Sequence, residues 1–309
     1  MFKREKFIII LTALLALLPL TQSRFYIFLG TDILIMGLFA MSLNLLLGYT
    51  GLVSFGHAAY FGIGAYTCGL LMKKAGIIFP FAFISAMVAG VLGALIIGFF
   101  CVRLTKIYFA MLTLAFSQIV WAIVFKWNSL TGGDTGLIGI DFPSYLDSSV
   151  RFYYFTLVVV AVSLCLLQRI VNSPFGRILT AIRENPERTE FIGVNVKLFQ
   201  LIAFMISGLF AAISGALFGI FNHSLFPDLL YWPQSAEVLI MSLLGGVYSF
   251  FGPFVGAAII LYMRMLVTSY TQYWPFIMGG ILAFLLFFFP GGIVGFLREK
   301  KVFKWPKRF

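Results

Sequence analysis

Apolar residues run along this chain in blocks of about 20, the length that crosses a bilayer as a helix, separated by short polar or glycine-rich breaks. The blocks fall near 7–22, 25–47, 52–72, 77–101, 107–125, 152–171, 198–221, 236–247, 252–268 and 274–296. They are apolar all round, without the strict alternation of half-buried strands, so they predict lipid-embedded helices. The expected fold is an all-α integral membrane protein of about ten transmembrane segments in a single domain, 1–309. Block 236–247 is short. It crosses as a short helix, or it is re-entrant with 252–268 as its return limb, and both versions leave the chain ends on the same sides. Block 7–22 follows Lys3, Arg4 and Lys6 in the manner of a signal peptide, but no A-x-A site follows "LLPLTQS", so it is expected to stay as a first helix.

Composition agrees with this pattern: 61% of residues are hydrophobic, 11% are charged and the mean hydropathy is +1.02, which excludes a soluble domain. The net charge of +11 suggests nucleic acid only until its distribution is read. With the amino terminus in the cytoplasm, sixteen of the 22 basic residues fall inside: Lys3, Arg4 and Lys6, then Arg103 and Lys106, then five between Arg169 and Lys197, then six in the basic tail 297–309. The positive-inside rule therefore puts both termini in the cytoplasm, and the basic balance reports orientation and leaves nucleic acid out. One pair, Lys73 and Lys74, falls on the wrong side. Cys68, Cys101 and Cys165 sit apart inside apolar runs, which suits small buried hydrophobes and implies neither disulfide nor metal, and no cofactor is expected.

Small residues recur every fourth position at Ser54, Ala58 and Gly62, at Gly90, Ala94 and Gly98, and at Ser207, Ala211, Gly215 and Gly219. Such stripes let helix backbones approach closely where lipid offers no hydrophobic drive for association. The stretch "GYTGLVSFGHAAYFGIGAY" (48–66) holds more than a stripe needs. Gly48, Gly51 and Gly56 lie off it, bunched with Thr50, Ser54 and His57 and preceded by Asn44, which predicts a broken helix start bordering a polar cavity. A weaker echo, "GGVYSFFGPFVG" (245–256), joins Gly245 and Gly246 to Pro253. Glycine-interrupted segments in both halves point to a pathway near the midplane, with Glu237 beside the second break as its one fair ionisable candidate. Asp32 and Arg264 lie near segment ends and are expected to snorkel. His57 either lines the path or is a core histidine bonded to a neighbour.

Between the sixth and seventh blocks, "NSPFGRILTAIRENPERTEFIGVN" (172–195) spells two short cytoplasmic helices. Ser173 caps one that begins at Pro174, Asn185 caps one that begins at Pro186, and Gly193 is the left-handed terminator. Phe175, Ile178, Leu179 and Ile182 share one face of the first helix, with Arg177, Arg183 and Glu184 elsewhere. Glu184, Glu187 and Glu190 would be unwelcome on an anionic bilayer, so docking to a soluble protein is the expectation.

These stretches, taken with "LNLLLGYTGLVSFGHAAYFGIGAY" (43–66), "TGGDTGLIGI" (131–140) and "LLGGVYSFFGPFVGAAI" (243–259), resemble the permeases of branched-chain amino acid ABC importers, specifically their LivM-like branch. The resemblance implies a translocation subunit of a bacterial inner membrane. Its implied partners are a second, LivH-like permease, two ATP-binding subunits, an extracytoplasmic binding protein and the lipid bilayer. It makes the loop at about 172–197 the coupling device, with Glu187 and Gly193 at the spacing of the E-A-A-x-x-x-G signature, although Arg188 and Thr189 replace its small residues. The coupling set on this reading is Arg177, Ala181, Arg183, Glu184, Glu187 and Gly193. The pathway set is Asn44, Gly48, Gly51, Ser54, Gly56, His57, Glu237, Gly245 and Gly246. The 131–140 segment is placed outside, beside the incoming binding protein. The cargo implied is leucine, isoleucine or valine, and urea or short amides are the alternative, since their importers share much of this sequence.

The chain has no G-x-x-x-x-G-K-[ST], so ATP must be hydrolysed by other subunits. An ion-coupled transporter would bury its own acidic relay, for which Glu237 is the one candidate. Neither H-E-x-x-H nor G-x-S-x-G occurs, which argues against an intramembrane hydrolase.

Overall fold

The computed structural model describes residues 15–270 apart from 22, 105, 141–142 and 144–145, together with 273, 276–277, 279–281, 283 and 291–295. Most of the expected first block, much of the tenth and the basic tail lie outside the described residues. Between them the chain is almost entirely helical. The helices are α1 (Arg24–Asn44), α2 (His57–Lys73), α3 (Phe79–Cys101), α4 (Lys106–Lys126), α5 (Ser149–Asn172), α6 (Pro174–Glu184), α7 (Pro186–Phe191), α8 (Val196–Phe221), α9 (Trp232–Gly245) and α10 (Gly252–Thr268). Five of these stretches are long and apolar enough to span a bilayer: α1 with its continuation to Thr50, α3, α4, α5 and α8.

Burial orders them. In α1 83% and in α8 67% of the apolar stretch is covered by protein, against 17% in α4. The first two are the centre of the bundle and α4 is its rim. On α3, Phe81, Ile84, Val88, Leu92 and Ile96 are exposed at helical spacing, as a lipid-facing stripe must be.

The centre is held by small residues. A methyl placed on Gly208 of α8 would stand 2.5 Å from Ala94 Cβ, and one on Gly90 would stand 3.0 Å from the Gly208 carbonyl oxygen, so α3 meets α8 through its expected stripe, while α8 answers with Gly208 and Ala212, one position beyond its expected stripe, whose Gly215 turns to α2 instead. The stripe expected on the next helix is used differently. Ser54 precedes α2, and Gly62 makes room for the Leu230 side chain. The residue that meets α8 is Gly64, whose methyl would lie 2.5 Å from Ala212 Cα, with Gly215 facing the backbone of Phe61 in return.

Block 236–247 crosses as the second half of a broken element. After α8 the chain makes a two-residue strand, β2 (Ser224–Leu225), which pairs antiparallel with β1 (Leu137–Ile138), then a 3-10 turn, Pro227–Leu230. Leu225 sits against Gly69 and Leu230 against Gly62, so this irregular chain descends alongside α2 into the bundle. Helix α9 completes the crossing. Its 14 residues span about 21 Å, short of the ~30 Å that the hydrocarbon requires, and the turn and strand supply the remainder. Non-helical backbone is tolerable here because protein surrounds it, Leu225 and Leu230 both being fully buried.

Candidate functional site

The first glycine cluster interrupts the membrane helix as its sequence implies. Past Asn44 the helix widens into a π-turn, Leu45–Thr50, and stops at Gly51, whose φ of 74° is the left-handed conformation open to glycine at little cost. The chain then runs non-helically to Gly56, the residue before α2. A helix that begins inside the membrane must satisfy its first amides. Here the Ala58 amide donates to Ser235 Oγ on α9 at 2.8 Å, so the second broken element caps the helix that follows the first.

His57, the first residue of α2, is fully buried. Its Nε2 lies 2.9 Å from Ser42 Oγ and 3.5 Å from Ser207 Oγ, and its ring stacks on Phe39 with centroids 5.4 Å apart. Ser207 is eleven residues into α8, about 16 Å from that helix's start, so this polar knot lies near mid-membrane. Of the two readings the sequence left open, the arrangement is that of a core histidine held by two serines. The neighbourhood is under-satisfied: His57 Nδ1, Ser54 Oγ, Asn44 Oδ1 and Tyr60 Oη are buried with no hydrogen-bond partner among the described residues. One cavity that borders the break is apolar. It is a groove of 560 Å³ lined by Gly51, Val53 and Phe55 on one side and Ile107, Ala110, Met111 and Leu114 of α4 on the other. The polar residues turn inward and leave apolar neighbours to face it.

The second cluster is a tight helical hairpin. Gly246, at φ 108°, ends α9, and α10 begins at Gly252. A methyl on Gly245 would meet the Gly252 carbonyl and one on Gly256 would meet that of Met241, so the helices touch at main-chain distance. Glu237 of α9 is ion-paired with Arg264 of α10. The acid singled out as a relay thus shares an arginine that was expected to snorkel, and that arginine also feels the charge of Asp32 on α1, so opposite charges are gathered together here.

The two breaks meet. A methyl on Gly48 would stand 2.5 Å from the Val247 carbonyl oxygen and 2.6 Å from Asn44 Oδ1. Against them lies α6. Ser173 Oγ accepts from the Gly176 amide at 3.5 Å and Asn185 Oδ1 from the Arg188 amide at 2.9 Å, so each short helix starts at its expected cap, and Gly193 ends the pair at φ 88°. The apolar face of α6 is spent on the bundle: Leu179 and Ile182 are fully buried and Phe175 stacks on Phe199 of α8. Arg177, Glu184 and Glu187 are left exposed, along with Phe191 at 91% and Ile192 at 74%. Ala181 accepts from the Asn185 amide at the helix end, and Gly193 has open space around it. Arg183, half-buried, turns the other way and donates to the Gly48 carbonyl.

At the opposite end of the bundle, the 131–140 segment is folded by glycines. Gly132, Gly133, Gly136 and Gly139 all have positive φ, and a methyl on Gly136 would strike the Leu225 carbonyl. Lys73 donates to the Ile138 carbonyl and Lys74 to that of Ser129 at 2.5 Å. The two lysines that break the charge rule are thus the struts of this loop. Sequence reading missed them, together with Ser42, Ser235 and Tyr248. The only trace was the charge anomaly itself, for the others the partner lies far along the chain.

Among the described residues no group of His, Cys, Asp or Glu is placed to hold a metal ion. Residues 25–289 match the family model for the permease component of branched-chain amino acid transport systems. The chain is 28% identical to the high-affinity branched-chain amino acid transport system permease protein LivM of Escherichia coli (strain K12), over 96% of this chain and 76% of that protein. It is 22% identical to a probable LivM and 23% identical to a probable LivH permease protein of Methanocaldococcus jannaschii, each over 75% of this chain and over 78% and 77% of those proteins. No solved structure matches it.

Proposed function

Because the chain belongs to the family of permease components of branched-chain amino acid transport systems, we propose that it is one membrane subunit of an ATP-driven importer for leucine, isoleucine and valine. It pairs with a homologous second permease, and two ATP-binding subunits dock on the α6–α7 pair from the cytoplasm. A binding protein delivers cargo at the 131–140 end. The observation that carries this reading is the disposition of α6 and α7: a capped helix pair in which α6 spends its apolar side on the bundle, whose outer side presents charged residues and two bare apolar ones, and whose Arg183 touches both interrupted segments, at Gly48 and Tyr248. A device of that form transmits force from a soluble partner to a membrane element, and the chain carries no phosphate loop of its own.

Asn44, Gly48, Gly51, Ser54, Gly56, Gly245 and Gly246 act on this reading as the gate, by letting two helices change pitch where they meet. His57 positions the start of α2. Glu237 acts within its ion pair with Arg264, which disfavours an ion-coupled mechanism, since a relay acid must exchange its proton.

The test is reconstitution. The chain is co-produced with the second permease, ATP-binding subunits and binding protein, placed in liposomes, and assayed for uptake of radiolabelled leucine with ATP enclosed. ATP-dependent leucine accumulation is expected. Uptake of urea without leucine would move the assignment to the amide importers, and uptake driven by an ion gradient without ATP would overturn it.

A further inference from the structure

We propose that Arg183 is the positioning residue that ties both interrupted membrane segments to the α6–α7 pair, so that a displacement of α6 moves the two breaks together. This rests on the importer reading above. Three contacts converge on the one side chain. Its guanidinium donates to the carbonyl of Gly48 in the π-turn, it lies over the ring of Tyr248 with Cζ 5.0 Å from the centroid, and its stem passes Gly51, where an added methyl would stand 2.9 Å from Cγ. Gly48 belongs to the first break and Tyr248 to the hairpin loop of the second.

The chemistry suits arginine. The last carbonyls of any helix lack intrahelical donors, and the helix ending at Gly51 leaves Gly48 among them. A cation there also meets the negative end of the helix dipole. A planar guanidinium can donate in its plane and stack through its face at once, which an ammonium cannot. The contact is also selective within α6. Leu179 and Ile182 anchor the helix in the core, whereas Arg183 reaches the parts of the membrane domain that are not regular helix. Tyr248 is 76% exposed, so few of the described residues pack on that ring.

The experiment uses the whole complex in proteoliposomes and reads substrate taken up per ATP hydrolysed, with whichever substrate the parent transports. With a cation–π contact and a charge-assisted hydrogen bond both lost, Arg183→Ala is expected to lower that ratio about tenfold or more. Arg183→Lys should fall between parent and alanine. Tyr248→Phe keeps the ring and should match the parent, while Tyr248→Leu should lower the ratio. The inference is overturned if Arg183→Ala and Tyr248→Leu both keep the parent ratio, including the case in which uptake and hydrolysis fall in proportion. Should the alanine variant fail to assemble, the exposed Tyr248 pair decides by the same criterion. A parent complex without ATP-dependent uptake refutes the importer reading, whereas a working parent with unaltered variants refutes this inference alone.

Discussion

Replacing Gly51 tests whether the first break is built on backbone conformation. Gly51 holds φ at 74° and is exposed; the three atoms nearest an added Cβ all belong to Arg183, the methylene Cγ at 2.9 Å, with Cβ at 3.6 Å and Cα at 3.7 Å at ordinary contact distance. The cost of Gly51→Ala is therefore mostly that of forcing an L-residue into the left-handed region, about 1–2 kcal/mol. For a chain of this size that corresponds to a fall of about 1.5–3 °C in Tm. Asparagine visits the left-handed region more readily than alanine, so Gly51→Asn should cost less than half as much. The assay is the thermal midpoint of the detergent-solubilised complex, followed by loss of monodispersity, for parent, alanine and asparagine. Equal losses for the two variants, or no loss with alanine, would refute the claim that glycine is there for its positive φ. If the conformation serves gating, uptake in the alanine variant should drop at temperatures where the complex is still intact.

Gly56 should behave differently, because its φ of −97° suits any residue while a methyl there would lie 2.9 Å from the Thr113 carbonyl carbon of α4; Gly56→Ala should cost about 1–3 kcal/mol by overpacking, and Gly56→Asn should be worse, the reverse of the order at Gly51. His57→Ala removes a buried ring stacked on Phe39 and is expected to lower stability by about 2–4 kcal/mol, with substrate affinity unchanged in the variants that survive; a raised KM at parental Tm would place the imidazole in the path. A cysteine at Asp134 should react with an impermeant thiol reagent from outside and one at Glu187 only from inside, both positions being exposed, and the opposite labelling would invert the orientation and the coupling assignment together.

Much of this architecture is carried by local sequence. Apolar runs longer than a bilayer is thick become helices because the unpaired peptide group has no other refuge in lipid, and α1, α3, α4, α5 and α8 lie where the hydropathy placed them. Caps and terminators act within four residues, so Ser173, Asn185 and Gly193 were legible without any knowledge of neighbours. The glycine bunching at 48–56 likewise marked a real interruption. What no local pattern held was who meets whom. Gly64 in place of Gly62 on the face toward α8, Ser235 capping α2 from 177 residues away, Glu237 paired with Arg264, and Lys73 and Lys74 bracing an outer loop all depend on how the helices are rotated and stacked. The same is true of Arg183, which its sequence position assigns to a surface helix and whose contacts reach Gly48 and Tyr248 in the two breaks. Backbone hydrogen bonding and hydrophobic transfer are short-ranged along the chain and so can be read from it, whereas the pairing of polar groups inside a membrane is settled only when packing brings their scarce partners within reach.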